Sequence, residues 1–483
     1  MVSNKQLSEY FVTLEAPGLF KCRYCSKIRK QAVSNGFSNL ISHLTDKHPR
    51  HVDDYKEYER GGCKSLDTLG FVTDYACTVY HWIRWVVERN IAIEEVDNKL
   101  TRDMSRWASV SSQTLKKYMA LVERKVENAI AQEMPDSMGI MFDGWSACYT
   151  YYVGVYAIYV VKDSARRVLL ALAPLLEEND FGADSHIAFI TETLAGFDKQ
   201  PGCVRFIVGD NCITNQAIAT RMGLPLVGCA SHRLNLAIQQ HVAEHESLLS
   251  QVNELISTFK MVKRFLQIKD AAKHVEAVEE LVPRARDCRK LEKLQEDLQA
   301  LDSICLTLQS NETTLADVRV LFDGVVKRYP EMSNYLAKDA TIVHSPTFET
   351  AVVKVIRDEG TLTRAEAAAI SPLRVDESVT NEVEPDSSAT FAATLLHAGS
   401  KRSHAIANKG TYEPLLFHIP PTSNDCERLF SKAKAVLTPQ RSSMLPVNFE
   451  MIMFLKENDS YWSRRTIAEV QQSSIDMDTI SVN

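Results

Sequence analysis

The stretch Gly139–Ser146, GIMFDGWS, is where the fold of this chain is decided. It opens the strand-like text, which begins near 138 after a helical stretch at 74–133. Two further β-rich runs follow after short breaks, YYVGVYAIYVV at 151–161 and VLLALAPLL at 168–176. Three such runs joined by short turns predict an antiparallel meander. The pattern then alternates, with a helix near 184–198, the strand CVRFIVGD at 203–210 and the helix NQAIATRM at 215–222. The strand PLVGC at 225–229 and the helix HRLNLAIQQHV at 232–242 complete it. A meander followed by β-α-β units predicts a mixed sheet covered by helices, an α/β core within an α+β chain.

Outward from this core the text is helical. YACTVYHWIRWVVERN at 75–90 and SQTLKKYMALVERKVENAIAQ at 112–132 carry apolar residues at helical spacing. From about 246 to 340 the chain is charged and amphipathic, as in KDAAKHVEAVEELV at 269–282 and RKLEKLQEDLQALDSICLTL at 289–308. SPLRVDESVTNEVEPDSSAT at 371–390 is polar, acidic and Ser-rich, and predicts a linker. NDCERLFSKAKAVL at 424–437 and NFEMIMFLKEN at 448–458 predict two closing helices.

The 483 residues allow about three domains. With 45% apolar and 24% charged residues the chain can build cores, and 18 Gly and 16 Pro are too few for a collagen-like or low-complexity class. A net charge of -7 argues against a uniformly basic nucleic-acid coat but leaves room for a local basic patch. No apolar run is long enough to cross a bilayer, and MVSNKQLSEY is too polar for a signal peptide, so no membrane partner is expected. The expected compartment is intracellular, where the 11 cysteines are thiols or metal ligands rather than disulfides.

Cys22-x2-Cys25 is followed by His43-x4-His48. Two thiolates and two imidazoles are the donor set of a closed tetrahedral zinc site. So small a unit has too little apolar surface to fold alone, which makes Zn²⁺ part of its fold. Residues 20–50 carry seven Lys or Arg and one acid, Asp46. Of these, Lys21, Arg23, Lys27, Arg29 and Lys30 are candidates for DNA phosphates, or else a solvated face.

Asp143 follows GIMF, and Asp210 ends the strand RFIVG. If those strands are neighbours, the two carboxylates converge at one edge, where their repulsion favours a hard divalent cation. Each also has an ordinary alternative: Asp143 before Gly144 in a turn, Asp210 as a helix cap, and Glu427 paired with Asn424 at a helix start.

Two resemblances bear on these residues. The Cys/His spacing, the aromatic pair Tyr10–Phe11 and the NLxxHLxxxH text at Asn39–His48 resemble a BED-type zinc finger, a DNA-binding module. The text from Pro421 to Asn458 resembles the C-terminal dimerisation region of the hAT transposase superfamily, through Ser423, Glu427, Arg428, Phe430, Ser431, Arg441, Met444, Pro446, Leu455, Lys456 and Asn458. FDGWS at Phe142–Ser146 and GDNCITN at Gly209–Asn215 are similar to that superfamily's acidic motifs, and Cys229 and His232 to its C-x-x-H motif.

The resemblance implies an RNase H-like core interrupted by a helical insertion. Asp143, Asp210 and Glu427 would be the triad holding Mg²⁺ or Mn²⁺ for strand cleavage and transfer, with Cys229 and His232 as accessory residues. It implies double-stranded DNA at transposon ends as substrate, a homodimer formed through the C-terminal helices, and the nucleus as compartment. Phe430, Ile452, Phe454 and Leu455 are the expected dimer contributors. The domains expected are the finger at 1–60, a helical DNA-binding or oligomerisation segment at 70–135 and the first core part at 136–245. A short insertion at 246–370, a linker at 371–411, the dimerisation region at 412–465 and a tail at 466–483 complete the list. One family feature is missing: the five Trp stand at 82, 85, 107, 145 and 462, so the insertion lacks the Arg-Trp pair. The competing expectation is a catalytically silent, transposase-derived DNA-binding regulator.

Overall fold

The computed structural model describes residues 4–16, 18–22, 24–25, 27–30, 37–48, 51–52, 72–175, 180–243, 266–268, 284–375, 411–438, 441 and 444–480. The chain divides into two compact units, Met1–Thr78 with Arg464–Asn483, and Val79–Ser463.

In the first unit, strands β1 (Val12–Ala16), β2 (Leu19–Cys22) and β3 (Ile28–Lys30) form an antiparallel sheet in that order. The helix Ser38–Lys47 carries buried Leu40, His43 and Leu44 one turn apart on one face. These leucines join Leu7, Phe11, Val12 and Cys22 in a small core. Arg464–Ile480, across most of the stretch expected as a tail at 466–483, is a helix.

The second unit is built on a five-stranded sheet of order β6-β5-β4-β7-β8, where β4 is Met138–Ala147, β5 Thr150–Val161, β6 Ser164–Pro174, β7 Val204–Gly209 and β8 Leu226–Gly228. The meander β4-β5-β6 is antiparallel, and β7 and β8 add parallel to the other side of β4. The crossover from β6 to β7 runs through the helix Ala183–Gly196, and that from β7 to β8 through Ile213–Met222. β4 is therefore the central strand, bonded on both edges, and its first five residues are buried.

Upstream of the sheet, Ser112–Glu133 is capped by Ser111, whose side chain accepts from the Thr114 amide. Its buried Leu115, Met119, Val122, Val126 and Ile130 recur at three- and four-residue steps, the spacing of one helical face. The expected insertion is all-helical where described, with helices Ala285–Leu308, Leu315–Arg328, Pro346–Arg357 and Arg364–Ala369. Leu301, Leu308, Val318, Phe322 and Val325 pack there against Ala230, Leu234 and Ala237 of the helix Ala230–Ala243. The helix expected at 269–282 lies outside the described residues.

The linker expected at 371–411 is described only at its two ends. Ser371–Leu373 is a short 3-10 turn, and Arg374 bridges Tyr412. Residues 376–410 lie outside the described residues. The helices Asn424–Val436 and Pro446–Glu457 form as expected. Phe430, Ile452, Phe454 and Leu455 do not offer a dimer face, however: all four are buried within the chain. Phe430 stacks on Trp145 and Phe454 lies against Phe197. A helix that is apolar all round is a core helix, and of its large apolar residues only Leu445 and Val447 at its start are exposed, at 62% and 63%.

Candidate functional site

The four finger residues come together. One ligand atom from each of Cys22, Cys25, His43 and His48 lies within 4.8 Å of the others, and no other such group occurs among the described residues. Cys22 ends β2, Cys25 follows its turn, His43 sits on the helix and His48 directly after it. Tetrahedral zinc places neighbouring S and N donors ~3.5 Å apart. Cys25 Sγ and His43 Nε2 stand 3.4 Å apart. His48 Nε2 is buried without a hydrogen-bond partner, as a ligand nitrogen must be. Burial, and then the neighbouring Arg29 guanidinium, hold His43 below the ordinary imidazole value, which favours the neutral ring that ligates. The residues fit a structural Zn²⁺. Phe11 stacks on Tyr24 and Tyr24 on His48, so aromatic rings brace the ligand from outside. Of the expected phosphate contacts, Lys27, Arg29 and Lys30 are exposed and Lys21 is half-buried on β2, while Arg23 lies outside the described residues.

The acidic residues converge at one edge of the larger sheet. β4 and β7 run parallel with Met141 beside Val208. Two residues further along each, Asp143 stands beside Asp210. Glu427 approaches from the helix Asn424–Val436. That helix closes on the sheet at Gly154, which pairs with Asp143 across β5. A Cβ on Gly154 would lie 2.9 Å from Leu429 Cδ2, so glycine permits the approach. Gly144 plays a like part, since a Cβ there would strike the Tyr151 hydroxyl.

The electrostatics record the crowding. Burial first, then the charge of Asp210, push Asp143 up to about 7, opposed by the Gly144 amide that donates to its Oδ1 at 2.8 Å. Burial and Asp210 also raise Glu427. Burial raises Asp210, with His232 and the Cys229 thiol pulling the other way. His232 Nδ1 is 3.1 Å from Asp210 Oδ2. The three carboxyls thus share one field, yet they do not close to the spacing of the finger ligands.

Cys229 and His232 lie beside this site and do different things. Cys229 is fully buried, and burial pushes its thiol up to about 11, so it stays protonated. Its thiol accepts from the Ser423 amide at 3.4 Å, and its own amide donates to Gly209 O at 2.8 Å. The Ala230 amide donates to Pro421 O at 2.9 Å. Together these bonds tie the end of β7 to the start of the Glu427 helix. His232 is about a third exposed and faces Asp210.

Sequence reading missed the insertion's hold on that helix. Asn424 Nδ2 donates to Leu308 O at 3.0 Å, and Arg428 donates to Gln309 O at 3.3 Å and Asn311 Oδ1 at 2.9 Å. Both side chains thus satisfy carbonyls where the helix Ala285–Leu308 ends. It also missed Asn215, whose amide donates to Asp210 O at 2.9 Å and fixes the turn after β7. Its spacing of five from Asp210 carries no general signal.

The family comparisons agree with both sites. The BED zinc finger model matches residues 9–49, which span all four ligands. The hAT family C-terminal dimerisation region matches residues 415–458, which contain Glu427 and both closing helices. The chain carries a BED finger and a hAT dimerisation region. This pairing is consistent with an hAT transposase with a BED finger, and the finger suggests DNA binding. No curated protein matches the chain. No described helix is long and apolar enough to cross a membrane.

Proposed function

We propose that this protein is a DNA-binding, hAT-like transposase that cleaves and transfers DNA strands. Asp143, Asp210 and Glu427 would hold Mg²⁺ or Mn²⁺ in an RNase H-like core. The observation that carries the reading is the meeting of three carboxyls from a central strand, the end of its parallel neighbour and a distant helix. The strand order, three antiparallel strands extended by two parallel ones, supports the RNase H-like assignment. Gathering acids in one half-buried place is costly, and hard oxygen donors suit a hard divalent cation. Such ions activate a water or a 3′-hydroxyl and stabilise the leaving oxygen in phosphodiester chemistry.

The chain's own residues set the geometry. Gly144 fixes the Asp143 carboxyl through its amide, and Cys229 joins Gly209 O, next to Asp210, to the Ser423 amide. His232 presents a ring nitrogen to Asp210. The finger would dock on duplex DNA at transposon ends through Lys21, Arg23, Lys27, Arg29 and Lys30, with a homodimer formed by the C-terminal region, in the nucleus.

One observation favours a second reading, a catalytically silent DNA-binding regulator: the insertion lacks a Trp, and with it the Arg-Trp pair. Incubation with the inverted-repeat DNA flanking its own gene separates the two. Nicking that requires Mg²⁺ or Mn²⁺ and disappears in Asp143→Ala supports the transposase. Specific binding without nicking in either cation refutes it.

A further inference from the structure

Three of the five tryptophans gather around one open cavity of about 420 Å³ in the segment before the sheet. Trp82 forms its floor, with Trp85 and Trp107 set nearly perpendicular to it, at 77° and 80° and with centroids 5.5 and 5.1 Å away. Met104 is 77% exposed and forms a lip. Arg106 lines the mouth and makes no ion pair with the described residues.

The walls are pre-set. The Trp82 indole N–H donates to Ala108 O at 3.0 Å, and Trp107 stacks on His81 at 5.1 Å and 10°. The Trp107 amide donates to Ser105 Oγ, and Thr101 Oγ1 donates to Glu95 Oε1 at 2.6 Å. The Thr101 hydroxyl hydrogen is thus spent within the chain, while Ser105 Oγ accepts there and keeps its own hydrogen to donate. What remains for a ligand is mainly the indole surface of Trp85 and Trp107 over a nearly buried Trp82, a thioether, the Ser105 hydroxyl hydrogen and one guanidinium.

We propose that this cavity takes an unpaired nucleotide of a DNA strand, its base against the indoles and its phosphate on Arg106. Indole faces accept any base, because every base has a π-face, and a guanidinium at the rim complements a phosphate. A peptide would bring more backbone N–H and C=O groups than the few polar groups of this lining can satisfy. A methylated lysine fits three aromatic walls, but the Arg106 charge at the mouth opposes a cation. The site would act on strands that have lost their partner and would tolerate sequence. The inference rests on the DNA-handling reading above and adds a second contact to that of the finger.

The test uses the full chain and two DNAs of one sequence, a blunt duplex and the same duplex with a short single-stranded overhang. Tryptophan fluorescence and a binding titration are followed for each. The overhang DNA is expected to quench fluorescence and bind more tightly than the blunt duplex. Trp107→Leu should weaken overhang binding roughly tenfold and leave blunt-duplex binding unchanged. Arg106→Ala, a surface change that spares the fold, should lower the slope of log affinity against log salt by about 0.7 for the overhang DNA. Thermal melting checks that Trp107→Leu is folded. Equal binding of both DNAs by the wild type overturns the proposal and leaves the transposase reading standing. Failure to bind either DNA overturns both. A change in oligomeric state in Trp107→Leu or Arg106→Ala, with DNA binding unaltered, overturns it in favour of a protein interface.

Discussion

Replacing Asp143 by asparagine is expected to stabilise the protein in buffer without magnesium or manganese. Burial and the charge of Asp210 raise the Asp143 carboxyl from 3.8 to about 7, with Glu427 adding to the effect. In the folded state the group keeps its proton to a higher pH than in the unfolded chain. Stability is then fully present below the unfolded value and is lost as pH rises through the folded one. At ~1.4 kcal/mol per pH unit, the loss above neutrality is about 4 kcal/mol. Asparagine removes the charge yet keeps an oxygen for the Gly144 amide, 2.8 Å away. For a unit of this size the gain amounts to roughly 5 °C in melting temperature. Calorimetry across a pH series should show that gain at about pH 7.5 and its disappearance near pH 4. Adding Mn²⁺ should raise the melting temperature of the wild type more than that of the variant. An Asp143→Asn protein that melts at or below the wild type at neutral pH, or whose gain persists in acid, would refute the reasoning.

Zinc removal by a strong chelator, or Cys25→Ser, is expected to unfold the finger alone, because structural zinc contributes on the order of 10 kcal/mol to such a unit. Limited proteolysis should cut within residues 9–49 and spare the larger unit; protection there would contradict a zinc-dependent fold. Gly154→Val should push the Glu427 helix off β5, since even a Cβ meets Leu429 at 2.9 Å. The expected destabilisation is about 1–3 kcal/mol, read by denaturant melts, with strand cleavage lost more steeply than stability. Asn424→Ala leaves the Leu308 carbonyl without its donor in a buried place and should cost about 1–3 kcal/mol. If the insertion positions Glu427, its cleavage rate in saturating DNA should fall while DNA affinity stays level; unchanged cleavage would deny the insertion that role.

Much of the fold was legible along the chain, and the reasons are local. The meander shows as three β-rich runs because hairpin strands are adjacent in sequence, and Thr150–Val161 pairs with Ser164–Pro174 as expected. The finger shows because its ligands sit on a turn and one helical face, within 27 residues. Four side chains, Phe430, Ile452, Phe454 and Leu455, were misassigned to a dimer face. An apolar helix looks the same whether its partner is a second copy or, as for Phe430 and Trp145, a strand of its own chain.

By itself the sequence determined the chemistry available: a two-thiol, two-imidazole set, three carboxylates in distinctive text and a basic finger. Local periodicity and short spacing carry that information. Only the tertiary structure decided which groups meet. Asp143 and Glu427 are far apart in the chain, and they meet because β4 is central, β7 lies parallel beside it and Gly154 lets a distant helix close. It also separated Cys229 from His232: one is a buried, protonated tie between segments, the other a half-open ring at Asp210. Burial and charge at a site are sums over neighbours from the whole chain, and a sequence does not reveal those neighbours until it is folded.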